Sequence, residues 1–140
     1  MSARTKARRL ALDVLFAAEL REEEPTAVLA QRGRPNTGEL SEYGHAVRLI
    51  EGVQEHRERI DELIATYATG WTLDRMPVVD RNVLRMGAFE LLWVDDVPDA
   101  VAVAEAVALA TDLSTDESPR FVNGLLSRLQ QLKPSLSLES

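Results

Sequence analysis

The stretch Ser118-Pro119-Arg120-Phe121-Val122-Asn123-Gly124-Leu125-Leu126 admits two readings, and the choice between them decides the fold. An Asn-Gly pair between apolar residues is the strongest short-range signal for a β-hairpin turn. Read as a helix, the same segment places Val122, Leu125, Leu126, Leu129 and Leu132 on one side. Five apolar residues in helical register outweigh one turn dipeptide, so the spacing predicts a helix to about residue 132, where Pro134 stops it. Ser118 then becomes an N-cap candidate, with Pro119 at the first helical position. Arg120 and Gly124 fall in one surface row, with Phe121 beside them. A glycine inside a helix costs about 1 kcal/mol relative to alanine, and the expected reason for keeping it is close approach of a neighbouring helix. Phe121 lies off the main stripe, where it either packs between helices or stays partly exposed and stacks on a base.

Helical periodicity continues upstream. Residues 3–22 put Ala7, Leu10, Ala11, Val14, Ala18 and Arg21 on one stripe, with Leu15 beside it, and the run Glu22-Glu23-Glu24-Pro25 ends it. Pro25 suits the first turn of a short helix that closes at Gly33, and residues 34–38 read as a loop. Residues 39–69 are helical, with a bend or break expected between Gly52 and Arg59. Gly70-Trp71-Thr72 is a stop followed by a cap. A helix from Pro77 to about Val94 carries Val79, Val83, Met86, Phe89 and Leu92 on its stripe, and Asp95-Asp96-Val97-Pro98 breaks it. Residues 99–113 begin with a strand-like alternation, but alanine is a poor strand residue, and Val103, Val107 and Ala110 share a helical face. The result is about seven helices joined by short loops, an all-α bundle.

Composition narrows the chemistry. The 140 residues suit one domain, and 45% hydrophobic content supports a core. There is no cysteine, which excludes disulfides, thiolate zinc sites and thiol nucleophiles. The two histidines, His45 and His56, form no metal-binding or catalytic motif, and the glycines are too scattered for a phosphate loop. No cofactor, metal site or catalytic residue is expected, and no apolar run is long enough to span a membrane. The net charge of −7 hides an asymmetry: Arg4, Lys6, Arg8 and Arg9 lie in the first ten residues without an acid, leaving 12 Lys and Arg against 23 Asp and Glu elsewhere. In a helix, Arg4 and Arg8 stack at i, i+4. Such a cationic tip either frays as a soluble terminus or meets nucleic-acid phosphates.

The segments ARTKARRLALDVLFAAEL, VVDRNVLRMGAFELL, DVPDAVAVAEAVALA and STDESPRFVNGLLSRL stand in the order and spacing of the NusB transcription antitermination factors. From about residue 3 to residue 132 the chain resembles that family. The resemblance implies a single NusB-like domain over residues 1–132, built of two small packed helical bundles at about 1–70 and 71–132, with a tail at 133–140. It implies a cytoplasmic, non-enzymatic factor. Such a factor binds single-stranded boxA RNA of ribosomal RNA leader transcripts together with the small-subunit ribosomal protein NusE. It joins the antitermination complex on RNA polymerase and supports rRNA transcription. By position, the implied RNA-binding residues are Arg4, Lys6, Arg8, Arg9, Phe16, Glu117, Ser118, Arg120 and Phe121, and Asp80 matches an acidic position on the NusE-facing side. Some members self-associate, so the competing reading is a helical protein–protein adaptor or homodimer with weak RNA binding.

Overall fold

The computed structural model describes residues 2–33 and 40–138, so the loop expected at 34–38 lies outside the described residues. Among the described residues there are seven α-helices and no strand. They fall into two compact units, Met1–Glu55 and His56–Ser140.

The first unit contains α1 (Ala3–Arg21), α2 (Pro25–Arg32) and α3 (Leu40–Glu55). Ser2 caps α1, its hydroxyl accepting from the Thr5 N–H at 3.1 Å. At the other end Glu22 turns left-handed, with φ 54°, and the Glu23 N–H reaches back to the Ala18 carbonyl at 3.0 Å. The expected stripe is buried at Ala7, Ala11, Val14 and Ala18, with Leu15 beside it and Leu12 in addition, whereas Leu10 is partly exposed and Arg21 exposed. α1 packs chiefly on α3, and α2 bridges the pair. The first turn of α2 is held from α3, where the Gln54 side-chain oxygen accepts from the Thr26 N–H at 3.0 Å.

The second unit contains α4 (Arg57–Tyr67), α5 (Val78–Trp93), α6 (Asp99–Leu113) and α7 (Ser118–Leu132), with short 3-10 turns at Leu73–Arg75 and Lys133–Ser135. The expected break in residues 39–69 falls at His56, whose ring stacks on Trp93 at 4.6 Å and on Phe89 at 5.9 Å. The division between units therefore lies at residue 55, upstream of the boundary near residue 70 that the sequence suggested. The physical reason is that α4 packs on α5 and α7. Asp61 of α4 also receives a forked pair of hydrogen bonds from the buried Arg85 of α5, at 2.8 and 3.2 Å. The start of the expected tail is likewise tied down, through Lys133 to Asp99 at 2.8 Å and Arg59 to the Ser137 carbonyl at 3.1 Å.

α5 is the central helix of this unit, with α4, α6 and α7 packed on it. Its burial extends beyond the apolar stripe to Asp80, Asn82, Arg85 and Glu90. A helix covered on most sides must satisfy its polar groups internally. Asn82 does so by donating to the Val78 carbonyl at 2.9 Å. Residues 99–113 are helical, as their alanine content predicts.

The glycine that permits close helix packing is Gly87 rather than Gly124. A Cβ at Gly87 would stand 2.8 Å from Leu126 Cδ1 and 3.1 Å from the Ala106 Cβ, whereas one at Gly124 meets nothing within 4 Å. The expectation that Gly124 admits a neighbouring helix is thus corrected: its side of α7 is open. Opposite responses to one substitution follow. Gly87→Ala should destabilise the chain by about 1–3 kcal/mol through overpacking. Gly124→Ala should stabilise it by about 1 kcal/mol through helix propensity. Urea unfolding of the two variants measures both signs.

Candidate nucleic-acid interface

The start of α7 is built around a buried carboxylate. Asp80, in the first turn of α5, is 4% exposed. Its Oδ2 accepts from the Ser118 hydroxyl at 2.8 Å, and its Oδ1 accepts from the Ser114 hydroxyl. The Ser118 oxygen in turn accepts from the Thr115 N–H at 3.2 Å. This arrangement corrects the expected cap. Ser118 is already the first residue of α7, and its side chain satisfies the turn before the helix rather than an N–H within it. Glu117 occupies the cap position without a side-chain cap bond.

The network sets the direction in which the next residues leave. Glu117 and Arg120 are exposed, Ser118 is buried, and Phe121 is partly exposed. The Phe121 ring meets Trp71 at 5.9 Å with a 41° tilt, and Trp71 is itself 44% exposed. Phe121 borders two grooves. One, of about 450 Å³, runs past Trp71, Pro77, Asp116 and Glu117. The other, of about 570 Å³, runs past Tyr67, Arg120, Gly124 and Arg128. Trp71 and Arg128 join this surface without a motif in the sequence that singles them out. Their signals were an aromatic just after a left-handed glycine, Gly70 at φ 82°, and an arginine eight residues from Arg120 on the same row.

Within the first unit, the cationic residues lie on α1. Lys6 and Arg9 are exposed and Arg4 is partly exposed, whereas Arg8 is only 3% exposed. Phe16 is partly exposed. Arg9 stands 3.9 Å from Asp13, an exposed pair that contributes little to stability. The first turn of α1 holds no acid. Cations there oppose the helix macrodipole, which favours anions at its N-terminus. That local arrangement is unfavourable for the isolated helix and favourable for a bound anion.

Among the described residues no group of three or more His, Cys, Asp or Glu side chains is placed to hold a metal ion, and no helix is long and apolar enough to cross a membrane. Among the described residues the fold is all-α, with Arg120 and the Phe121 ring presented at the start of α7. Residues 5–131 match the sequence profile of the NusB family, and the chain belongs to that family. It is 58% identical to "Transcription antitermination protein NusB" of Nocardioides sp., over 98% of this chain and 100% of that protein. Among solved structures it is similar to a NusB from T. maritima, with a TM-score of 0.81 and 34% identity over 95% of this chain and 97% of the other. It is also similar to the structure described as "Crystal Structure of Antitermination Factors NusB and NusE in complex with dsRNA", with a TM-score of 0.78 and 29% identity over 94% of this chain and 98% of that one.

Removing the buried carboxylate tests the site's foundation. Asp80→Ala strands two hydroxyls and should cost about 3 kcal/mol, read as a lower urea midpoint. Asp80→Asn keeps one acceptor and should cost less.

Proposed function

We propose that this protein is a non-enzymatic, cytoplasmic antitermination factor. It binds single-stranded boxA RNA of rRNA leader transcripts together with the ribosomal protein NusE, as part of the antitermination complex on RNA polymerase. The observation that carries the reading is the presentation of Arg120 and the Phe121 ring at the start of α7, on a backbone path fixed by Asp80 and Ser118. Phe121 offers a stacking face to an unpaired base and Arg120 a guanidinium to a phosphate or a base edge. Arg4, Lys6 and Arg9 add phosphate contacts from the start of α1, where the helix dipole already favours an anion. The solved complex of the related NusB and NusE with double-stranded RNA supports NusE and RNA as the partners.

Three of the residues implied by the family resemblance take different parts in this reading. Ser118 and Asp80 are buried and bonded to each other, so they act through the residues they position. Arg8, at 3% exposure, is assigned to the structure of the chain rather than to RNA. The acidic remainder repels RNA elsewhere and attracts a basic ribosomal-protein partner.

Gel shifts with boxA RNA and a scrambled control, with and without NusE, test the proposal. Phe121→Ala should weaken boxA binding about tenfold, the scale of one lost base stack, with the helical CD signal retained. Replacing Arg4, Lys6 and Arg9 with alanine should flatten the dependence of log affinity on log salt by about 0.7 per lost phosphate contact. Equal affinity for boxA and scrambled RNA, or a dimer indifferent to RNA, contradicts the proposal and favours the adaptor reading.

A further inference from the structure

α7 carries a ridge that none of the packing explains. Arg120, Gly124 and Arg128 follow one another at i, i+4 and i+8, so the two guanidinium-bearing residues stand about 12 Å apart along the helix axis with a bare backbone midway. All three are exposed and line the larger groove. Among the described residues neither guanidinium is engaged in a hydrogen bond or ion pair. The facing wall is the end of α4 and the segment after it, Thr66 to Thr69, where Tyr67 is half-buried. Phe121 closes one end, its ring held by Trp71 from the other side.

Gly124 is the informative residue. It costs helix stability, it relieves no contact within the fold, and its Cα faces open space in the groove. A glycine with no internal partner makes sense where something outside the chain approaches the backbone closely. The walls specify what that is. Cations at intervals along a groove, with aromatic faces between them, suit a single nucleic-acid strand: phosphates track the arginines, and unpaired bases stack on the rings. A paired duplex buries its bases and leaves the rings unused.

We infer that this groove is a track for single-stranded RNA, extending the contact surface from the start of α7 to its middle. Arg128 is a phosphate-binding residue, Tyr67 and Phe121 are base-stacking residues, and Gly124 lets the strand lie against the helix. The inference rests on the proposed RNA-binding function and locates the strand's path beyond the loop before α7.

The test uses the full chain, a single-stranded boxA RNA and the same RNA annealed to its complement. Two variants probe the track. Gly124→Leu replaces a poor helix former with a good one in open space, so its melting temperature should rise while RNA affinity falls about tenfold. Stability and binding then move in opposite directions, which a purely structural role for Gly124 does not produce. Arg128→Ala should lower affinity several-fold and flatten the salt dependence by about 0.7, one phosphate contact on a single strand. The wild type should prefer the single strand. If both variants bind as wild type while Phe121→Ala loses binding, the track is overturned and the proposed function stands. If the duplex binds better than the single strand and the variants discriminate neither, the track is likewise overturned. If the wild type binds no RNA with or without NusE, the functional reading itself falls.

Discussion

The Asp80 carboxylate determines where the last helix begins and what it presents. A buried carboxylate has lost its hydration and must find its hydrogen bonds inside the protein. Asp80 finds them on Ser114 and Ser118, the residues on either side of the turn between α6 and α7. The chain from 114 to 118 therefore has little freedom, and Ser118 returns the constraint by accepting from the Thr115 N–H. Arg120 and Phe121 follow within one helical turn, so their directions are inherited from this network. A surface built on a rigid element keeps its geometry better than one built on a loop.

Two kinds of local cost mark the surface. At the start of α1, cations stand where the helix dipole is unfavourable to them. In α7, a glycine stands where alanine would be more stable and would fit. Both fall on segments proposed to meet RNA, and a side chain at Gly124 would meet nothing within 4 Å. The contrast with Gly87 is useful. That glycine also lowers helix propensity, but Leu126 and Ala106 occupy the space a side chain would need. Its cost is repaid by packing, and it carries no functional implication.

The helices were legible in the sequence because their apolar stripes are strong and their ends are punctuated. Glu24-Pro25, Gly70 and Asp95-Pro98 each fall at a boundary in the structure. The five leucine and valine positions of α7 were decisive, and Val122, Leu125, Leu126 and Leu129 are buried. What could not be read was which polar residues turn inward. Asp80, Asn82, Arg85 and Glu90 are residue types usually left in water, and only the central position of α5 buries them. Ser118 misled for a related reason: a serine before proline signals a cap, but its hydroxyl answers to a carboxylate 38 residues away. The placement of Gly124 was misjudged because spacing gives the row a residue occupies and not what stands opposite. Trp71 and Arg128 needed the fold to bring α4 and its following segment beside α7.

The central claim is that RNA meets the protein at the start of α7. Backbone amide shifts of the full chain, followed by NMR during titration with single-stranded boxA RNA, test it most directly. The account predicts the largest changes at Glu117 to Phe121, continuing to Gly124 and Arg128 and to Tyr67 on the facing wall. Changes that leave residues 117–128 untouched and gather on other faces of the second unit would contradict it.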